Sequence, residues 1–323
     1  MGRNDDRFLM KIVDMYYKQD MSQEKIAKRL NVSRTTISRA LARAKKEGFV
    51  KILIDFPAEN SINLEKQLEE KYSIKEVVAV TSKTEEVSGD LVAREAASYL
   101  ARIIKSRMIL GVTWGRTMRK IVDAFDSIQI SGSLKVRGVQ VVPMLGTTMP
   151  DTADQEDLRL SYSSLLSNQI AEMVHGISYS LPAPMYVRNI EAKEILLKEP
   201  QIASVLEKAR NCQAGIFGIG TLSEHSSLAA LDKEKTDLVL RMAQRGGAGE
   251  IIGRVFDEEG KLIPNEIDEH LIGLNFEEIH QIPNRIGVAF GKEKVKAIHA
   301  ALKGDWINIL ITDSLTAEAL ASI

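Results

Sequence analysis

Arg34, Thr35, Thr36, Ser38 and Arg39 crowd between positions 34 and 39, directly after Ser33. Short hydroxyls and guanidinium groups in the first turns of a helix are the groups that reach base edges in a DNA major groove, where an arginine can hold a guanine edge by two hydrogen bonds. Arg43, Lys45 and Lys46 follow at a distance that suits backbone phosphates. A second set of residues, far along the chain, has a different chemistry. Four glycine-bearing stretches each follow an apolar run: Gly111-Val-Thr-Trp-Gly-Arg-Thr117, Leu145-Gly-Thr-Thr148, Phe217-Gly-Ile-Gly-Thr221 and Ala289-Phe-Gly-Lys-Glu-Lys294. Thr113, Trp114, Gly115 and Thr117 in the first, Gly146, Thr147 and Thr148 in the second, and Gly218 and Gly220 in the third supply backbone N–H groups and hydroxyls. Such groups, at a helix N-terminus, suit a phosphate or a sugar hydroxyl. Lys294 in the fourth can neutralise a phosphate. Glu250, after Arg245-Gly-Gly-Ala-Gly249, can accept sugar hydroxyls. Asp257 is a further acidic candidate, although Arg254-Val-Phe-Asp-Glu-Glu-Gly260 reads first as turn chemistry.

The first set is positioned by two short helices and a tight turn. In residues 22–43, apolar side chains fall at Ile26, Ala27 and Leu30 and then at Val32, Ile37 and Leu41, which sets one face of each helix against the other. Asn31 occupies the turn, where a residue tolerant of a left-handed backbone is often required. Ser33 is a good N-cap for the second helix. With Ile37, Leu41 and Ala44 as its buried stripe, at roughly 100° per residue, Thr35, Arg39, Ala42 and Lys46 point away from the core. The stretch from Asp5 to Lys18 supplies a supporting helix through Phe8, Leu9, Ile12, Val13 and Tyr16. Gly48 ends the second helix, and residues 49–54 (FVKILI) read as a β-ribbon closed by Pro57. The pattern is a winged helix-turn-helix.

Charge divides the chain in the same place. The formal net charge is −1, yet residues 1–51 hold 13 Lys/Arg against 6 Asp/Glu, a net of +7, and the remainder 30 against 38, a net of −8. A basic head on an acidic body directs only one end toward a phosphate backbone. The single cysteine, Cys212, excludes a disulfide framework and a cysteine-based zinc site and reads as a buried spectator. His175, His225, His270, His280 and His299 have neither ligand nor triad spacing. No metal site and no cofactor are expected. The absence of a signal peptide or a run of about 18 apolar residues leads to the expectation of a cytoplasmic protein that does not bind a membrane.

Ser61–Tyr72 reads as a short charged helix with Leu64 and Leu68 four apart, a narrow stripe that suits a linker or dimer contact. From Val77 strands and helices alternate. Strand-like runs are Glu76–Val80, Met108–Val112, Val136–Val142, Ala214–Ile219, Ile251–Phe256, Arg285–Ala289 and Asn308–Thr312; helical patterns include Val87–Lys105, Asp154–His175 and Lys292–Lys303. Alternation of this kind argues a doubly wound, mostly parallel sheet with helices on both faces, in which ligands bind at the carboxyl ends of the strands. Three segments are expected: a DNA-binding domain over 1–56, a linker or dimerisation helix over 57–75, and an effector domain over 76–323.

Together, the head, the Trp114-Gly-Arg-Thr117 loop, Phe217-Gly-Ile-Gly220, Gly249-Glu-Ile-Ile-Gly-Arg-Val-Phe-Asp257, the stretch from Val288 to Ile298, and Leu310-Ile-Thr-Asp313 with Thr316-Ala317 resemble the SorC family of bacterial regulators over nearly the whole chain. The resemblance implies a helix-turn-helix head joined to an α/β domain similar to sugar-phosphate isomerases such as glucosamine-6-phosphate deaminase. It further implies binding of a sugar or phosphosugar, assembly into homodimers or homotetramers, and loss of affinity for double-stranded operator DNA when the effector binds. By motif, Gly146, Thr147 and Thr148 fall in the family's sugar or phosphate loop, Glu250 matches an acidic ligand contact, and Lys294 a phosphate-contacting lysine. The chain departs from the family at Ala289-Phe290-Gly291, where Ala-Gly-Gly is usual before the lysine, and the bulky Phe290 narrows the pocket. Residues 145–148 carry no lysine for an imine, and the segment around Tyr179-Ser180-Leu181 lacks an arginine for a second phosphate. An effector with one phosphoryl group or none is therefore favoured over a bisphosphate. Two other functions compete: a sugar-phosphate isomerase-like enzyme, which requires a base near the substrate carbon, and a DNA-binding protein with a vestigial pocket.

Overall fold

A computed structural model describes residues 3–50, 61–127, 136–148 and 161–323. The chain divides into two compact units, Met1–Ala58 and Glu59–Ile323.

In the first unit, α1 (Arg3–Val13) runs on into a π-helical turn, Asp14–Lys18, and is followed by α2 (Gln23–Leu30) and α3 (Arg34–Lys46). Ile12, Met15, Ile26, Ala27, Ile37 and Leu41 form its core. Each helix start carries its own cap: the Ser22 hydroxyl accepts from Lys25 N–H at 3.3 Å, and the Ser33 hydroxyl from Thr36 N–H at 3.0 Å. Both satisfy donors that a helix start leaves open. Asn31 takes φ 52°, and Gly48 takes φ 79° just past α3. The expected support from Tyr16 shifts by one residue: Met15 is the fully buried side chain, and Tyr16 packs at the margin. Phe49 and Val50 are not in a strand, and the rest of the expected ribbon, with Pro57, lies outside the described residues.

In the second unit, seven strands form one sheet: β1 (Glu76–Val80), β2 (Ile109–Val112), β3 (Gln140–Pro143), β4 (Ile177–Ser178), β5 (Ala214–Gly218), β8 (Asn284–Val288) and β9 (Ile309–Asp313). Their spatial order is β1-β9-β8-β5-β2-β3-β4. Every pairing among them is parallel. Successive strand residues face opposite sides, so Ile216 and Ile311 enter one core and Phe217 and Leu310 the other. The helices are α4 (Ile62–Tyr72), α5 (Glu85–Ile103), α6 (Arg116–Ser127), α7 (Ser163–Met173), α8 (Ile190–Lys198), α9 (Pro200–Arg210), α10 (Lys233–Gln244), α11 (Glu266–His270), α12 (Phe276–His280), α13 (Val295–Lys303) and α14 (Ser314–Ser322). Helices α5, α6 and α7 cover one face through Val92, Leu100, Met118, Ile121 and Leu166; α9, α10, α13 and α14 pack on the other through Ala209, Val239, Ile298 and Leu320. This is the doubly wound arrangement.

The run read as one strand over Ile251–Phe256 is instead a hairpin of β6 (Gly247–Ile251) and β7 (Arg254–Asp257), antiparallel and apart from the main sheet. Ile252 and Gly253 form its two-residue turn with φ 50° and 80°. Positive φ at both central positions reverses the chain with the twist that a hairpin requires. Helix α4 is docked rather than free. Its Leu68 is fully buried in the body, and its Glu69 and Glu65 carboxylates each accept from an N–H of β1, Val77 and Ala79, both at 2.9 Å. Among the described residues β1 pairs with β9 alone, and these two carboxylates satisfy donors on its other edge.

Candidate functional site

On α3, Ile37, Leu41 and Ala44 are buried, while Arg34, Thr35, Thr36, Ser38, Arg39 and Lys46 are exposed with Ser33 at the cap. Thr36 is drawn toward the cap, its hydroxyl 2.8 Å from that of Ser33. Arg43 is half-buried, and its Nε donates to Glu47 at 2.7 Å. Its guanidinium is thereby held along the helix, which distinguishes it from the exposed Arg34 and Arg39.

In the body, a cavity of about 580 Å³ opens at the carboxyl ends of β2, β5 and β8. The strand order reverses between β2 and β5, and the crevice outside such a reversal is where open α/β sheets take ligands. Thr113 ends β2 with its hydroxyl donating to the Ile216 carbonyl of β5 at 2.9 Å. Trp114 is nearly buried, and Gly115, at φ 107°, turns the chain into α6. Gly115 N–H donates to the Ser161 carbonyl at 3.0 Å. Beyond β5, Gly220 pairs with Glu250 through two backbone hydrogen bonds of 3.0 Å. A Cβ on Gly220 would stand 2.1 Å from Glu250 Oε1, so only glycine leaves room for that carboxylate. The other oxygen of Glu250 accepts from Gly253 N–H at 2.8 Å, the hairpin turn. Beyond β8, Gly291 takes φ 100° and donates to the Thr316 hydroxyl at 2.9 Å, which donates to buried Asp313 at 2.6 Å. This network fixes the turn that carries Phe290 and Lys294.

Thr113, Trp114, Gly115, Thr117, Gly218, Gly220, Glu250 and Lys294 therefore line one cavity. Gly146, Thr147 and Thr148 do not. Gly146 N–H donates to Ile272 O and Thr147 N–H to Ala183 O, both at 2.8 Å. These crossing segments draw the loop to a different cavity, lined by Thr147, Thr148, Tyr186, Arg188, Lys235 and His270. Asp257 also lies outside the main cavity: its Oδ1 accepts from the N–H groups of Glu259 and Lys261 at 3.0 and 2.9 Å, a turn role. Sequence reasoning did not single out Arg116, Lys120 or the hydroxyls of Ser223, Ser226 and Ser227, all on the cavity wall. The signal was present: Arg116 lies within the quoted loop, and the serines follow the Gly218–Gly220 turn at the same sheet edge. Arg116 Nε donates to the Ser227 hydroxyl at 3.3 Å and its terminal nitrogen to the His225 carbonyl.

The cavity holds one acid and one base group in unusual states. Burial pushes the Glu250 carboxyl up to about 7, against the opposing pull of Gly253 N–H and Lys294. Burial pulls the Lys294 ammonium down, opposed by Glu293 and Glu250. Between the ordinary carboxylate range and pH 7 the folded protein retains a proton on Glu250 that the unfolded chain releases. Stability is therefore lost as pH rises through that window and is level above it. Relative to wild type, ligand-free Glu250→Gln should gain about 2 kcal/mol between pH 5 and pH 7.5, read from urea unfolding at the two pH values. Equal differences at the two pH values would refute the assignment.

Among the described residues no group of three or more His, Cys, Asp or Glu side chains could hold a metal ion, and no helix is long and apolar enough to cross a membrane. Residues 57–322 match the family model described as "Putative sugar-binding domain", and residues 9–55 match a helix-turn-helix domain. The chain is 32% identical over 328 residues to the deoxyribonucleoside regulator of Bacillus subtilis (strain 168), covering 100% of this chain and 99% of that one. It is 29% identical over 327 residues to the sorbitol operon regulator of Klebsiella pneumoniae, covering 99% of each. The crystal structure of the full-length sorbitol operon regulator SorC from Klebsiella pneumoniae superposes with a TM-score of 0.71 at 26% identity, over 98% of this chain and 99% of that one.

Proposed function

This chain belongs to the SorC family of transcriptional regulators, and from that premise we propose that it reads an operator through α3 and releases or rearranges on it when a sugar or sugar phosphate enters the cavity between β2, β5 and β8. The observation that carries the effector half is the convergence of Glu250, Lys294 and the start of α6 on one cavity. A carboxyl suits sugar hydroxyls, an ammonium suits a phosphoryl group, and a helix start offers N–H donors to an anion. Arg34, Thr35, Thr36, Ser38 and Arg39 take the base-edge role and Lys46 a phosphate role, with Arg43 held toward Glu47. An effector can shift the DNA equilibrium only by binding one arrangement of the protein better than another.

The protein acts without catalysis in this reading. Of the two carboxylates on the cavity wall, Glu250 is buried and accepts from Gly253 N–H while Glu293 is exposed, and Glu250 and Lys294 act as ligand-holding groups rather than as an acid and a base for turnover. It works in the cytoplasm as a homodimer or homotetramer on a two-fold symmetric operator. The head spans 1–56 and the effector domain 76–323, with the segment 57–75 leading into it through helix α4, which packs on the body. Fluorescence anisotropy of the gene's own upstream DNA, with and without a panel of sugars and sugar phosphates, tests the proposal. One compound should shift affinity tenfold or more, about 1.4 kcal/mol of coupling. Tight DNA binding that no compound moves would overturn the effector half, and turnover of a sugar phosphate would favour the isomerase-like reading.

A further inference from the structure

Gly89 lies inside the long helix α5, a position where glycine costs about 0.5–1 kcal/mol relative to alanine. The space its Cβ would take is occupied. Phe290 Cζ is 2.8 Å from that point and Cε2 3.0 Å, and the Lys120 ammonium is 3.6 Å from it. The same ring forms part of the cavity wall, and Lys294 Nζ lies 5.6 Å from its centroid. One aromatic ring thus fills the volume beside two ammonium groups, seated in a notch that only glycine leaves open.

We propose that Phe290 sets how many phosphoryl groups the cavity admits. The ring stands where a second phosphoryl group would meet Lys120, so the cavity takes a sugar with one phosphoryl group, held by Lys294. This rests on the sugar-phosphate reading given above. Lys120 is already balanced by Asp90 at 2.7 Å, and Arg116 is tied to the His225–Ser227 loop. Both arrangements suit a cavity that meets a single strong anion. Gly89 and Phe290 act as a pair: a methyl group at position 89 would drive the ring toward the cavity.

Calorimetric titration of the full chain with two matched pairs, ribose 5-phosphate against ribose 1,5-bisphosphate and fructose 6-phosphate against fructose 1,6-bisphosphate, tests this. Wild type should favour a monophosphate at least tenfold. Phe290→Ala should cut or reverse that ratio by tenfold or more, while Phe290→Leu, which keeps most of the volume, should stay near wild type. Gly89→Ala should weaken the monophosphate tenfold, and the double variant with Phe290→Ala should recover it. Unchanged ratios in Phe290→Ala with binding intact would overturn the proposal and leave the sugar-phosphate reading standing. Complete loss of monophosphate binding in Phe290→Ala with an unchanged circular dichroism spectrum would make the ring a stacking surface for the sugar and also overturn it. If neither wild type nor any variant binds any of the four compounds, the sugar-phosphate reading falls and this proposal with it.

Discussion

Arg39→Ala is expected to weaken operator binding by about 1–3 kcal/mol, roughly five- to a hundredfold, and to relax sequence preference at one base position. Arg39 is exposed on the face of α3 opposite the buried Ile37, Leu41 and Ala44. It lies within two turns of the helix start capped by Ser33, the part of a recognition helix that meets base edges. Lys46, at the far end, should behave differently. Its removal should lower affinity for all sequences alike and reduce the salt dependence by about one counterion. Anisotropy against the operator and a random duplex of equal length, at fixed salt, separates the two. Equal losses on both duplexes for Arg39→Ala would show that it contacts phosphate rather than a base.

Lys294→Met should leave operator affinity intact in the absence of effector and raise the effector concentration required for release about thirtyfold or more. Truncating one member of a buried charge pair costs about 2–5 kcal/mol, because the phosphoryl group would be desolvated without its partner. Burial already strains the ammonium, since it is pulled below its ordinary range despite Glu293 and Glu250 nearby. A bound phosphoryl group should draw it back toward its ordinary range, so effector affinity should fall as pH rises through the depressed value toward that range. An effector dose curve that superposes on wild type would remove Lys294 from the site.

The head was legible because local signals agreed: the Ser33 cap, an Asn turn and a period of 3.6 all describe the same helix pair, and the structure adds a second cap at Ser22. The sheet was legible from alternation, and the strand ends did gather ligand-type residues. The reading failed where tertiary contacts decide. Ile252 gives no turn signal, since a β-branched residue at positive φ is rare, and so a hairpin looked like one strand. Strand β4 has only two residues, too few to show a period. Gly146–Thr148 follows a strand as the other loops do, but its N–H groups are claimed by segments near 183 and 272. Nothing local announces that. The seat of Phe290 on Gly89 joins positions two hundred residues apart, and no spacing rule reaches that far.

The place of β9 in the sheet has a consequence for the newborn protein. Among the described residues β1 pairs with β9 and no other strand, and β9 is the last of the described strands to be made. The head has its own core and is complete some 250 residues earlier. Domains fold as units as they leave the ribosome. A chain interrupted before Ile309 would carry a finished basic head, an unpaired β1 and an incomplete sheet. Such a fragment would lack the finished sheet whose strand ends frame the cavity and would be blind to the effector. In a cell, nonsense mutations late in the gene should therefore yield products that no longer respond to the effector.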